Sequence, residues 1–161
     1  MEIRKATIND LEELTKIEAE CFPAAEAATE ESFRGRLEVY PDFFWILENE
    51  DGKIVSFVNG MATNDRILTD EMFENPKLHD ENGDWQMIFG VNTLPEFRRR
   101  GYAEKVLRKV VEDAKSAGRK GVVLTCKDRL VSFYGKIGFV NEGLSESTHG
   151  GAVWYNMRII F

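Results

Sequence analysis

The run of residues best suited to bind a charged ligand is Arg98-Arg99-Arg100-Gly101-Tyr102-Ala103. An apolar stretch over 85–93 precedes it and predicts a strand, whereas the spacing of apolar residues after it predicts an amphipathic helix. The run therefore lies at a helix start, where the first backbone N–H groups have no intrahelical partners. Gly101 allows close approach of the backbone, and the helix dipole favours a negative ligand. We expect a phosphate or pyrophosphate to bind there.

Three consecutive arginines can also be an ordinary solvated run of charge. Their position argues against this, because each cation at a helix N-terminus opposes the dipole by about 0.3–1 kcal/mol. Three of them at this point are favourable chiefly when an anion is bound.

The composition limits the partners of the chain. A length of 161 residues with 43% hydrophobic content predicts one globular domain, residues 1–161. The net charge of -7 disfavours nucleic acid as a partner. No apolar run approaches the roughly 20 residues that span a bilayer, and no signal-peptide pattern is recognised, so we expect a cytoplasmic protein with no membrane partner. We interpret Cys21 and Cys126 as small residues of the core. No second metal-binding residue lies at a recognisable ligand spacing from His79, so no metal is expected.

Periodicity and turn residues predict a mixed α/β fold with seven strands and about four helices. The strand–helix–strand unit over 85–126 requires a right-handed crossover and a parallel strand pair, and the other strands read as antiparallel. Residues 64–84 form a polar connection too long for a tight turn, and such loops are often functional. The predicted strands cover 3–6, 43–48, 54–63, 85–93, 122–126, 139–144 and 152–160, and the helices cover 7–21, 29–38, 102–117 and 130–137.

Two motifs carry a resemblance to a known family. Arg98-x-x-Gly101-x-Ala103 after a strand resembles the acetyl-CoA signature Q/R-x-x-G-x-G/A of the GNAT superfamily. The segment 126–139 resembles the closing motif of that family, an aromatic-Tyr pair followed by x-x-x-Gly-Phe. Its Cys-x-Asp-x-Leu-Val-x-Phe-Tyr order is similar to arylalkylamine (serotonin) N-acetyltransferases. The resemblance covers essentially the whole chain and implies a GNAT fold whose central parallel strands splay at the acetyl-CoA site.

The resemblance also implies the roles of individual residues. Tyr134 corresponds to the general acid of the family and contacts the cofactor; its hydroxyl has an ordinary pKa of about 10, against about 8.5 for a thiol, and is protonated at neutral pH. A backbone N–H near Val91 or Asn92 would stabilise the oxyanion. The strand backbone that binds the pantetheine arm of acetyl-CoA corresponds to Val91, Asn92 and Thr93. The amides that bind its pyrophosphate correspond to Arg99, Arg100, Gly101, Tyr102, Ala103 and Glu104.

The acceptor side departs from the arylalkylamine enzymes. Those enzymes carry two histidines on the strand before the signature, whereas this chain has Met87 and Phe89 there. The general base is therefore open among Glu26, Glu30 and His149. Phe22, Pro23 and Glu26, together with the 64–84 loop, are predicted to flank the acceptor channel and bind the substrate.

These inferences predict an acyltransferase that passes an acetyl group from acetyl-CoA to a small primary amine, an arylalkylamine or a polyamine, in a ternary complex. Two alternatives stay open: a peptide or protein N-acetyltransferase, and a non-catalytic acetyl-CoA-binding sensor or regulatory module. A monomer or a homodimer is expected, and the apolar final strand ending at Phe161 is a candidate for pairing with a second subunit at a sheet edge.

Overall fold

Seven strands form one mixed sheet in the computed structural model, which describes residues 1–161. The strand order is β1-β2-β3-β4-β5-β7-β6, and only β4 and β5 pair in parallel. This arrangement confirms the predicted fold class, a mixed and mostly antiparallel sheet with a central parallel pair. The strands are β1 (Glu2–Lys5), β2 (Phe44–Glu48), β3 (Ile54–Thr63), β4 (Trp85–Thr93), β5 (Gly121–Cys126), β6 (Val140–Leu144) and β7 (Tyr155–Ile160).

Five α-helices accompany the sheet, one more than the sequence indicated. The additional helix, α3, lies within the long polar connection and has a single buried residue, Met72, so it shows no periodicity that a sequence pattern could reveal. None of the five has the length and apolar character needed to cross a membrane. The helices are α1 (Leu11–Cys21), α2 (Glu30–Val39), α3 (Asp70–Glu74), α4 (Tyr102–Ser116) and α5 (Val131–Ile137).

Helices α1 and α2 each bury one charged side chain along with their apolar face. In α1, Glu18 lies beside Leu14 and Ile17 and is only 6% exposed. In α2, Arg36 lies next to Leu37 and is only 3% exposed. Both helices therefore bring a charge into the interior, where an ionised group is costly unless something compensates it.

A β-bulge interrupts the pairing of β3 with β4. Asn59 pairs with Gly90 but the next residue, Gly60, pairs with Ile88, so Phe89 is an extra residue on β4. A bulge of this kind bends its strand and redirects the side chains around it.

Strands β4 and β5 separate immediately after this point. Their parallel pairing runs from Trp85 opposite Gly121 to Ile88 opposite Leu124. Beyond it, β5 continues to Cys126 paired with β7 alone, and β4 continues to Thr93 paired with β3 alone. The β5-facing backbone of residues 89–93 therefore has no strand partner, which agrees with the predicted splay.

The bulge leads to a prediction about stability. A Cβ atom added to Gly60 would lie 1.8 Å from the carbonyl oxygen of Met87, in the backbone of the neighbouring strand. Gly60→Ala must therefore separate β3 from β4, and we expect the free energy of unfolding to fall by about 3 kcal/mol. Urea denaturation measures this. The matched control is Gly135→Ala, because Gly135 lies in α5 with open space around it, and alanine favours a helix. An unchanged unfolding free energy in Gly60→Ala would contradict the argument.

The predicted pairing of the final strand with a second subunit is wrong. Strand β7 is bonded on one side to β5 and on the other to β6, so it has no free edge. The free edges of the sheet belong to β1 and β6. Strand β7 also begins at Tyr155 rather than at residue 152, and residues His149–Gly151 before it form a 3-10 turn in which Gly150 and Gly151 have positive φ.

Candidate active site

A cavity of about 300 Å³ opens where β4 and β5 diverge. Its floor includes Phe89 and Val91 of β4 and Leu124 of β5, and Tyr134 of α5 lies at its side. The segment 22–29 and helices α1 and α2 form further walls. The splayed strands thus produce a site that reaches the interior of the sheet.

Tyr134 is positioned by the short helix α5 and by aromatic packing. Its ring lies 5.1 Å from that of Phe133 and 5.9 Å from that of Phe139, both edge-on. Burial, reinforced by the neighbouring Cys126, raises the pKa of the Tyr134 hydroxyl well above its usual range. The hydroxyl is therefore protonated at any physiological pH, which is one condition that a general acid must meet.

The signature segment forms a loop with two left-handed residues before α4. Arg99 has φ 64° and Gly101 has φ 81°. Gly101 is also the N-cap of α4 and provides no side-chain hydrogen bond, so the first N–H groups of this 15-residue helix remain without a side-chain cap. The segment has the conformation and the free donors that an anion site at a helix start needs.

The arginines of this segment do not all point to a ligand. Arg98 Nε donates to the carbonyl of Thr93 at 3.0 Å, and Arg100 Nη2 donates to the carbonyl of Glu96 at 3.3 Å. Both therefore hold the loop in shape. Arg99 carries the left-handed backbone between them and is exposed.

The other predicted cofactor residues lie around this loop. Val91 lines the cavity, whereas the Asn92 side chain is fully buried and does not line it, which leaves the backbone of Asn92 as the group available to a ligand. The Glu104 side chain is partly buried and ion-pairs with Arg108 and with Lys136 of α5, which leaves its backbone amide as the group available to an anion.

The three predicted substrate residues, Phe22, Pro23 and Glu26, all line the cavity. Glu26 is not a free base, because its Oε2 accepts a 2.8 Å hydrogen bond from Lys127 Nζ. Its Oε1 is buried and has no partner.

A roof over the cavity joins α3, the 22–29 segment and the 145–154 loop. The His149 ring stacks on Phe73 at 5.1 Å and its Nε2 lies 2.8 Å from the carbonyl oxygen of Glu26. The Asp70 carboxylate accepts hydrogen bonds from Ser147 Oγ and Thr148 N. Part of the 64–84 loop therefore flanks the cavity as predicted, and the 145–154 loop joins it.

Glu30, a candidate base, lies away from the cavity, and His79 has a structural role. Glu30 is exposed and forms a 2.8 Å ion pair with Arg34 on its own helix, so it does not reach the cavity. His79 accepts a hydrogen bond from Ala62 N and packs against the rings of Tyr40 and Phe43, which is a structural role.

The two positions that correspond to histidines in the arylalkylamine enzymes have apolar surroundings. Met87 is fully buried in the core. Phe89 is the bulged residue, lines the cavity and packs on Phe73 with 4.6 Å between the rings. Neither position provides a proton acceptor.

The carboxylate that sequence reasoning missed is Glu18. It lines the cavity, its Oε2 accepts a 2.9 Å hydrogen bond from Ala28 N, and its Oε1 is buried without a partner. Burial raises the pKa of Glu18, although the Ala28 amide, Arg36 and the neighbouring Asn92 side chain oppose the shift. A glutamate within the apolar face that Leu14 and Ile17 define was the signal in the sequence that could have revealed it.

Arg36 is the second charged group that the sequence did not single out. Its Nη1 donates to Asn59 Oδ1 at 2.8 Å and its Nη2 donates to the Phe73 carbonyl at 2.9 Å. Its Nε is buried without a partner, and the side chain borders the cavity. Burial lowers the pKa of Arg36, but a guanidinium remains charged in proteins.

Known proteins share this fold and parts of this sequence. An uncharacterized N-acetyltransferase from Archaeoglobus fulgidus is 29% identical over 125 residues, 74% of this chain and 78% of the relative. Glucosamine 6-phosphate N-acetyltransferase 1 of Oryza sativa subsp. japonica is 40% identical over 47 residues, which span only 29% of this chain and 28% of that enzyme. The crystal structure of the loading GNATL domain of CurA from Lyngbya majuscula has a TM-score of 0.83 at 21% identity, with 99% of this chain and 96% of that chain covered.

The family model described as the acetyltransferase (GNAT) family matches residues 11–139, most of the chain. The matched range includes the signature loop, the splayed strands and Tyr134. This match confirms the prediction of a GNAT acetyltransferase, while the arylalkylamine subtype stays a prediction. The chain belongs to the acetyltransferase (GNAT) family.

Proposed function

We propose that the protein transfers an acetyl group from acetyl-CoA to a small primary amine, an arylalkylamine or a polyamine, by direct attack in a ternary complex. The observation that carries the proposal is that a protonated phenol, Tyr134, and a carboxylate with a free oxygen, Glu18, border one cavity at the strand splay. Acyl transfer to an amine needs an acid and a base of these two kinds.

The cofactor is assigned to the open side of β4 and to the start of α4. In this proposal the unpaired backbone of residues 91–93 binds the pantetheine arm, and the amides of residues 99–104 bind the pyrophosphate. The free N–H groups at the N-terminus of α4 support this assignment, because they and the helix dipole favour an anion.

The reaction then proceeds by deprotonation of the acceptor ammonium, attack on the thioester and release of the thiol. Glu18 accepts a proton from the acceptor ammonium, directly or through one water, because an alkylammonium with a pKa near 10 must be deprotonated before attack. The amine nitrogen attacks the thioester carbonyl, and a backbone N–H near Val91 or Asn92 stabilises the oxyanion. The C–S bond breaks as the departing thiolate takes the proton of Tyr134, and the newly bonded nitrogen gives its remaining extra proton to the Tyr134 phenolate through water. Glu18 releases the proton that it accepted to solvent, so the net products are the amide, the free thiol and one proton.

The lining of the cavity supports an acceptor with an aromatic or alkyl part. Phe22, Phe73, Phe89 and Trp154 provide apolar surface, and the carboxylates of Glu18 and Glu74 attract cationic nitrogen. The name of the Oryza sativa relative adds amino sugars to the acceptors that should be tested.

The test is release of free thiol from acetyl-CoA with a panel of arylalkylamines, polyamines, amino sugars and peptides, followed by mass spectrometry of the products. We expect release that depends on a small amine and an N-acetylated product. Activity on peptides alone would replace the acceptor class by the peptide alternative. Acetyl-CoA binding by calorimetry without any acetylated product would favour the sensor alternative.

A further inference from the structure

We infer that the acceptor carries an anionic group, a carboxylate or a phosphate, in addition to its amine, and that Arg36 binds this group while Glu18 receives the amine. This inference rests on the acetyl transfer to a small primary amine proposed above, and it replaces the acceptor class by amines that also carry an anionic group. Its basis is a pair of buried opposite charges that border the same cavity, each with an unsatisfied polar atom.

The first observation is that the Arg36 guanidinium has spare capacity inside the protein. Of its five N–H donors, the structure uses one to the Asn59 side chain and one to the Phe73 carbonyl. Both acceptors are neutral, and the buried Nε has none. The nearby Tyr40 does not act as an anion, because burial raises the pKa of its hydroxyl above the usual range. A buried guanidinium of this kind is well suited to a carboxylate or a phosphate.

The second observation is a polar cluster around Gly90, next to the bulge. A Cβ atom at Gly90 would lie 3.5 Å from Asn59 Nδ2, 3.5 Å from Asn92 Nδ2 and 3.7 Å from Glu18 Oε1. The Asn92 amide has no hydrogen-bond partner on either of its atoms. Asn59, which bonds to Arg36, therefore lies between the cationic and the anionic side of one polar cluster.

Charge balance then selects the acceptor. With Glu18 ionised, the pair Glu18 and Arg36 is neutral as a whole. An ammonium that neutralises Glu18 leaves the Arg36 charge uncompensated in the interior, where an unpaired ion is costly. An acceptor with both an ammonium and an anionic group keeps the site neutral, before and after Glu18 takes the proton. The same reasoning disfavours polyamines, which would add only positive charge.

The alternative is that Arg36 and Glu18 serve only the fold, by holding the diverging strand β4 against α1 and α2. The hydrogen bond from Arg36 to the Phe73 carbonyl of α3 is compatible with that role. Substrate preference separates a binding role of Arg36 from a structural one. A purely structural pair does not distinguish an acceptor with an anionic group from an analogue that lacks only this group.

The test compares kcat/KM for matched acceptors with the wild-type protein. Phenylalanine is compared with phenylalaninamide and phenethylamine, which lack the carboxylate, and glucosamine 6-phosphate is compared with glucosamine, which lacks the phosphate. We expect kcat/KM for one acceptor with the anionic group to exceed that for its partners without it by about tenfold to a hundredfold, the range of a charge-assisted hydrogen bond. A preference within the first set indicates that the site binds a carboxylate, and a preference within the second set indicates that it binds a phosphate.

Variants of α2 show whether Arg36 is responsible. Arg36→Met should reduce the preference to near unity, because kcat/KM for the acceptor with the anionic group should fall about tenfold or more further than kcat/KM for the partner that lacks it. Arg36→Lys keeps the charge but not the planar fork and should retain part of the preference. The matched control is Arg34→Met, because Arg34 is exposed on the same helix and pairs only with Glu30. If Arg36→Met does not fold, the preference of the wild-type protein and its partial retention in Arg36→Lys still show whether Arg36 binds the anionic group.

Three outcomes would overturn the inference. The inference is refuted, with the acetyltransferase function intact, if the wild-type kcat/KM for the acceptors without the anionic group equals or exceeds that for the acceptors with it. A similar loss for both members of a pair in the folded Arg36 variants assigns Arg36 to the fold alone. The absence of acetylation with every amine, anionic or not, refutes the proposed function itself and the inference with it.

Discussion

Tyr134→Phe should lower kcat by about 10²–10³-fold while acetyl-CoA binds as before. The change removes one oxygen atom, and this oxygen supplies the proton to the departing thiolate. General acid catalysis of this kind contributes about 10²–10⁴-fold. Because the interaction forms only as the C–S bond breaks, the affinity for acetyl-CoA should stay within about a factor of three. Thiol release gives kcat, and isothermal calorimetry gives the affinity.

The pH dependence makes this prediction specific. Burial raises the pKa of Tyr134, so its hydroxyl is protonated throughout the range from about pH 6 to about pH 9. The defect of Tyr134→Phe should therefore persist across that range. Tyr155→Phe is the matched control, because Tyr155 is a half-buried tyrosine of β7 that does not border the cavity. Unchanged turnover of Tyr134→Phe would refute the assignment of the acid.

Glu18→Gln should lower kcat/KM by about 10²-fold at pH 7, with a smaller defect at higher pH. The variant cannot take a proton from the ammonium, so it depends on the small fraction of acceptor that is already neutral. That fraction rises about tenfold per pH unit up to the acceptor pKa near 10. We therefore expect the ratio of wild-type to variant activity to fall to less than about tenfold near pH 9.5. Steady-state rates from pH 6 to pH 9.5 measure it.

The stability of Glu18→Gln separates this role from a structural one. Burial raises the pKa of Glu18 above its unfolded value, so the folded state binds the proton more tightly. The ionised carboxylate thus destabilises the fold as the pH rises through and above the unfolded pKa. Replacing it by a neutral amide removes this pH-dependent loss but also leaves the Arg36 charge without its counter-ion. The thermal midpoint of the variant, relative to that of the wild type, should therefore be lowest near about pH 4 and should recover as the pH rises to about 7. Glu20→Gln, exposed on the same helix, is the control, and a pH-independent defect would remove Glu18 from the role of base.

The amino-acid sequence by itself was enough to predict the signature loop and the strand–helix–strand unit, and to select Tyr134 as the candidate acid. These features are local: a glycine at a helix start, apolar residues at helical spacing over 102–114, and the aromatic-Tyr pair all lie within short windows. The family motifs lie in the same windows, and for that reason the fold class and the family were predicted correctly.

The tertiary structure decided which groups face the acceptor. The carbonyl of Glu26 lies beside the His149 ring across 123 residues of sequence, and Ser147 binds Asp70 across 77. Glu18 and Arg36 come from helices whose separate patterns show only a charge on an apolar face. The register of β4 with β3 then places the Gly90 cluster between them. No local window contains these relations, because long-range packing sets which buried charges meet at one cavity and which remain without a partner.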